Sequence, residues 1–251
     1  MKLRLGWAAG TVAALIFFLL KYLPASQVLG RVDLPRNMAI SGVSGTIWNG
    51  QAELVSVSGL SVTPLNWEIH PLALLVGRVS ADIRGGNLRE SGQVAFQGPL
   101  SISLFDLQSV KAEDFLLFLP VDRVLAKVRL PLPVNAGGRI RLKLDALEFG
   151  PECEQLIGSG DWLNATVAGT QGPIDFGSYN AQLTCSEGKI ALQVKEPNKL
   201  GLTLNATVSA DLADISAQGQ FKLDPSLPRE VHDAAMLFSR PEADGYTRFK
   251  L

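Results

Sequence analysis

The residues able to do chemistry in this chain are few and far apart. There are two histidines, His70 and His232, and two cysteines, Cys153 and Cys185. A zinc site draws on clustered ligands at short spacing, and no CxxC or HxxxH pattern occurs. Two cysteines allow one intramolecular pairing. In an oxidising compartment they would join as a disulfide worth roughly 3–4 kcal/mol in the chain-entropy view, with two free thiols as the alternative. For nucleophilic catalysis the chain lacks GxSxG, and GVSGT at residues 42–46 misses that pattern by one position. His70 precedes Pro71 at a strand end and His232 sits in a helical stretch, so nothing nominates a triad. Asp145 and Glu148 read as solvated carboxylates. The Asn-Ala-Thr triplets at Asn164 and Asn205 match glycosylation acceptors but fall inside strand patterns. The glycine-rich GVSGTIWNG at residues 42–50 could cradle a phosphate only with a lysine at a set position and a helix behind it. It has neither, and its glycines fit a bulge and a tight turn, with Asn49–Gly50 as a hairpin signal. No catalytic, metal-binding or cofactor-binding residue is therefore expected.

What must position these residues begins with an apolar N-terminus. Lys2 and Arg4 precede an uncharged run from Leu5 to Leu20. Extended to Leu23, it would reach roughly 28 Å as a helix, enough for a bilayer core. Lys21 can snorkel and Tyr22 suits the headgroup layer, and the positive flank would stay cytoplasmic. A cleaved signal peptide is the alternative, disfavoured by Leu23 two positions before the only reasonable cut. Residues 1–22 are thus expected to be a stub and transmembrane anchor, and residues 23–251 an exported domain. The net charge of −1 with scattered basic residues excludes a nucleic-acid partner.

Beyond the anchor the dominant period is two, the mark of half-buried strands. Leu200, Leu202, Leu204, Ala206, Val208, Ala210 and Leu212 share one face of residues 199–212. Val79, Ala81 and Ile83, then Leu100, Ile102 and Leu104, then Ile140, Leu142 and Leu144, and Ile190, Leu192 and Val194 repeat the pattern. One apolar and one wet face indicate antiparallel sheet. Turn chemistry at residues 84–87, 135–138 and 186–189 fits hairpins. Short helices are expected at residues 70–77, 113–120 and 227–238, with a last strand over 244–251. The fold expected is mainly β: a transmembrane helix, then a long, strongly curved antiparallel sheet folded over its apolar side. Two lobes meeting near residues 131–138 are an alternative to one body.

Several blocks together resemble the type II secretion system protein N family of the Gram-negative general secretory pathway. They are the anchor, then SGVSGTIWNGQA with Gly45, Trp48 and Gly50. A spaced pattern follows at Pro64, Leu65, Trp67, Pro71, Leu74, Leu75 and Gly77. Next come GSGDW with Trp162, the strand carrying Cys185, and the ending from residue 227. The resemblance implies an inner-membrane protein with a periplasmic domain. Its role would be accessory, supporting export of folded proteins by contacts with other inner-membrane secretion components, without catalysis. A distant likeness to AsmA-like proteins with apolar grooves leaves a second expectation, a lipid or hydrophobic-ligand carrier.

Overall fold

The computed structural model describes residues 2–31, 34–126, 135–209, 214–236 and 241–250, with backbone alone at 2–9 and 13. Helix α1 (Lys2–Lys21) and the short α2 (Ala25–Leu29) come first. Six short strands follow: β1 (Met38–Ser41), β2 (Ser44–Gly45), β3 (Asn49–Ala52), β4 (Leu54–Val57), β5 (Leu60–Val62) and β6 (Leu65–Ile69). A 3-10 helix, Pro71–Val76, leads into β7 (Arg78–Gly85), β8 (Ala95–Ser103), β9 (Val110–Pro120) and the short α3 (Val121–Leu125). The longest strands are next, β10 (Ala136–Phe149), β11 (Cys153–Gly169) and β12 (Gly172–Ser186). The chain ends with β13 (Lys189–Val194), β14 (Thr203–Val208), β15 (Ile215–Phe221), α4 (Arg229–Ala235) and β16 (Thr247–Lys250).

Strands β1, β4 and β5 make a small sheet, and the other thirteen make one sheet ordered β2-β3-β6-β7 and onward to β16. Every pairing is antiparallel, so from β6 the spatial order is the chain order. The alternating stretches at 79–83, 100–102, 140–144 and 190–194 lie in β7, β8, β10 and β13, whereas of residues 199–212 only Thr203–Val208 is strand and 210–213 lie outside the described residues. Residues 78–85 pair with β8 from Arg78↔Ser103 to Gly85↔Phe96. The turn at 186–189 is a two-residue hairpin, with Ser186 opposite Lys189 and positive φ at Glu187 and Gly188. That is the twist-matched turn such hairpins prefer.

Several expectations need correcting. Residues 113–120 are strand, not helix: they complete β9, which pairs with β10 from Phe149↔Val110 to Arg139↔Pro120. A short apolar run without alternation fits either element, and here pairing on both edges decides. Residues 136–138 open β10 instead of turning; Gly138 faces a bulge in β11, where Asn164 and Ala165 stand opposite it between Gly137↔Thr166 and Arg139↔Leu163. Asn49–Gly50 starts β3, and the turn lies one step earlier, between Gly45 and its partner Gly50. The last helix is α4, shorter than residues 227–238, with 237–240 outside the described residues. Residues 131–134 of the lobe junction expected near 131–138 also lie outside the described residues.

Strong curl is not found: the sheet stays open, with β2 and β16 as separate edges. Its apolar side is instead capped piecemeal. Val62 of the small sheet lies against Gly85, Val121 of α3 is buried, and Val231 of α4 packs with Leu227 on the buried cluster of Ala165, Phe176, Tyr179, Ala181 and Val194. The covering is thin. The chain exposes 16503 Å², against roughly 11,000 Å² for a compact monomer of its mass. No large side chain among the described residues is fully buried.

Within that cluster Phe176 and Tyr179 share a face although three apart, because β12 carries Phe176 as an extra residue between Ala165↔Gly177 and Thr166↔Asp175. The Tyr179 hydroxyl is buried near the Leu200 backbone without a hydrogen bond of good geometry. Burial pushes its pKa up to about 12. Since the folded value exceeds the unfolded one, this contribution to stability is complete below pH 10 and is lost as pH climbs from there through about 12. Tyr179→Phe removes an unsatisfied polar atom and should stabilise by about 1 kcal/mol. Thermal melts should show a rise of about 2–4 °C and a flatter alkaline limb. A lower melting temperature for the variant would mean that the hydroxyl is bonded.

Candidate functional site

The end of α1 is gripped by the β2–β3 turn. Trp48 Nε1 donates to the Leu20 carbonyl at 2.7 Å, and Ile47 N donates to the Leu23 carbonyl at 3.1 Å. Pro24 and Thr46 form an isolated antiparallel bridge. Thr46 Oγ1 accepts from Asn49 N at 3.1 Å and so holds the turn itself. Trp67 of β6 reaches across, its Nε1 donating to the Ile47 carbonyl at 3.1 Å. Ile69 N donates to the Trp48 carbonyl at 2.6 Å, which ties the turn to the start of the 3-10 helix. Gly50 is required because the Trp67 ring lies over it: an added Cβ would stand 2.5 Å from Cζ2.

The 3-10 helix has a proline at its first position and ends at Gly77, left-handed at φ 71. Gly77 N donates to the Leu74 carbonyl at 3.1 Å, and the Gly77 carbonyl accepts from Leu104 N at 2.8 Å. The Phe105 ring packs on Gly77 where a side chain would otherwise be. The β6–β7 and β8–β9 connections therefore form one tip. Leu72, Leu75, Val76, Phe105 and Leu107 all stand exposed on it.

Six of the residues singled out in the sequence thus gather at one end of the sheet: Gly45, Trp48, Gly50, Trp67, Pro71 and Gly77. Pro64 and Leu65 do not join them. They open β6 at its opposite end, where the Pro64 carbonyl accepts from Gly86 N at 2.8 Å. Trp162 is on β11, donating to the Gly137 carbonyl at 3.0 Å and packing with the buried cluster around Ala165. Cys153 and Cys185 are joined as a disulfide, Cα atoms 5.6 Å apart, beside Leu156 and Leu183. Phe105 and Leu107 escaped the sequence reading. Their signal was a run of large apolar residues placed where strand alternation stops.

The titratable groups form surface pairs away from this end or at its rim. His70 Nε2 lies 2.8 Å from Asp82 Oδ2, both about half exposed. His232 borders a concavity of about 220 Å³ whose lining includes Phe221, Met236 and Pro241 and, among the described residues, no carboxylate or thiol. Asp145 bonds Lys143 at 2.6 Å, holding the lysine pKa above its ordinary value. Glu148 pairs with Lys111. Lys199 and the Gly177 amide lower the Asp175 pKa. Asn205 accepts from Gln193 at 2.9 Å, and Asn164 sits at a bulge with positive φ. Arg139 is buried over the Phe118 ring, one nitrogen on the Leu88 carbonyl at 2.7 Å, and desolvation lowers its pKa. Among the described residues, no group of three or more His, Cys, Asp or Glu could hold a metal ion.

Fold and site together define a β protein of one large open sheet and one small one, which presents an apolar end beside an N-terminal helix. The model of the type II secretion system protein N family matches residues 36–250, and the chain belongs to that family. It is 30% identical to the type II secretion system protein N of Vibrio cholerae, over 98% of this chain and 96% of the relative. The protein of that name from Aeromonas hydrophila is also 30% identical, over 100% of this chain and 98% of the relative. The Pectobacterium carotovorum protein is 24% identical over 78% of this chain and 76% of its own length. No solved structure matches. The chain is a component of the type II secretion machinery. Among the described residues no helix is long and apolar enough to cross a membrane.

Proposed function

We propose that this component is held in the Gram-negative inner membrane by residues 1–22, with residues 23–251 in the periplasm. There it supports export of folded proteins through contacts with other inner-membrane components of the machine, without catalysis of its own. The relationship to secretion proteins over nearly the whole chain carries the proposal. Two features support the placement. From Leu15 to Leu20 the side chains of α1 are all more than half exposed, as expected of a helix that packs on lipid and not on its own sheet. The disulfide suits an oxidising compartment. Contact surfaces are at hand in the outer edges of β2 and β16 and in the loops around Trp48 and Trp67. The lipid-carrier alternative is not favoured, since the relatives carry secretion names and the apolar side is capped in places by α3, α4 and the small sheet.

Photo-crosslinking amino acids at the exposed Asn49 and Asn66 test this in cells carrying the complete machine. The expected result is a chain that stays with membranes through an alkaline wash and yields an adduct with an inner-membrane secretion component. Recovery in the soluble periplasmic fraction, or adducts with no secretion component, would count against it.

A further inference from the structure

We propose that the apolar tip formed by the 3-10 helix and the β8–β9 loop rests in the interfacial layer of the bilayer that α1 enters, giving the domain a second membrane contact. This rests on the reading of α1 as a membrane anchor. The tip is too bare to be ordinary surface: Leu72 is 76% exposed, Leu75 83%, Val76 70%, Phe105 89% and Leu107 70%. Single exposed apolar residues are common, but five large ones on one tip mark a contact site.

Its place in the fold selects lipid as the occupant. Leu20 is the last residue of the apolar run, and its carbonyl takes the Trp48 indole N–H. That bond sets the β2–β3 turn at the depth where the anchor leaves the hydrocarbon, the level that suits indole and phenol rings such as Trp48 and Tyr22. The Trp48 carbonyl then holds Ile69 N, two residues before Pro71. At about 4.8 Å between neighbouring strands, the β6–β7 tip lies roughly 10–15 Å sideways from the anchor's end, and the β8–β9 loop about 20–25 Å. Both connections leave the same end of the sheet as the turn that grips α1.

The tip is also built for a partly dry setting. Within the 3-10 helix, Ala73 N donates to the His70 carbonyl and Gly77 N to the Leu74 carbonyl. In the second loop Ser109 N donates to the Asp106 carbonyl. The one charged side chain between Phe105 and Leu107, Asp106, accepts from Gln108 N at 3.2 Å. Backbone groups satisfied within the loop cost little when water is withdrawn. At the rim, Arg78 opens β7 and Lys111 pairs with Glu148, polar groups at the level where headgroups would begin.

The test uses the full chain in vesicles of phosphatidylethanolamine and phosphatidylglycerol. A nitroxide is attached in turn to Leu75→Cys, Leu107→Cys, Ile16→Cys and Gln218→Cys; the native cysteines are paired and stay unlabelled. Relaxation by oxygen, which concentrates in lipid, is compared with relaxation by a water-soluble nickel chelate. Labels at 75 and 107 should collide more with oxygen than with nickel, as at 16, and the ratio should invert at 218. If 16 lies in lipid while 75 and 107 match 218, the tip is aqueous and the proposal falls with the anchor intact. If neither relaxant reaches 75 and 107, protein covers the tip and the proposal also falls. A label at 16 open to nickel would overturn the anchor and, with it, the second contact.

Discussion

Replacing both Cys153 and Cys185 by alanine lowers stability by about 3–4 kcal/mol, because the bond closes a loop of 32 residues in the unfolded chain. For a domain of this length that corresponds to a melting temperature lower by about 7–14 °C. The effect is global because the bond lies across the middle of the large sheet, joining the start of β11 to the end of β12. Cys153 is buried with Leu156 and Leu183, and Leu142, Leu144, Phe149 and Ile190 pack around them. The paired serine variant should therefore fall further than the alanine one, since it also places hydroxyls among those side chains. Differential scanning calorimetry of the full chain, with and without reductant, separates the contributions: reduced wild type should resemble the alanine variant. An unchanged melting temperature on reduction would mean that the β11–β12 pairing already closes the loop in the unfolded ensemble.

Gly50→Val is the second large effect. A side chain there would meet Trp67 Cζ2 at 2.5 Å and the carbonyl oxygens of Ser44 and Thr46 at 2.8 Å. The ring can swing only by giving up its bond to the Ile47 carbonyl, and the two carbonyls are the backbone of the turn. A cost of about 3 kcal/mol is expected. It should appear as local opening of the β2–β3 hairpin, because those strands are only two and four residues long at the edge of the sheet. Hydrogen exchange should lose protection over residues 44–52 while β10 to β12 keep theirs, and tryptophan emission should shift to the red. Native protection at residues 44–52 in the variant would overturn the close-packed account of this corner.

Much of the fold was legible because alternation survives in the sequence wherever one strand face is covered. The alternation of Val79, Ala81 and Ile83 and of Ile190, Leu192 and Val194 falls inside β7 and β13, and Pro71 with Gly77 bounds a short helix as expected. The failures share a cause. In residues 115–119 every position is apolar, so no period distinguishes strand from helix. At Asn135–Gly138 the glycines lie inside a strand, with Gly138 opposite a bulge in β11, and their composition matches that of a turn. The site was half legible. Trp48 and Trp67 stood out by type, but their partners are the carbonyls of Leu20 and Ile47, which any residue supplies. The tip went unread as a surface because a sequence shows hydrophobicity without showing on which side of a connection it will land.

A sheet whose neighbours in space are neighbours along the chain also has a simple assembly route. After β6 each strand pairs with the one before it in the chain, so each arriving strand docks on a template already laid down. The exceptions, β3 closing on β6 around the small sheet and α1 meeting Trp48, all fall within the first 70 residues. A polypeptide delivered amino end first can therefore settle its awkward corner early and zip the remainder in the order it emerges.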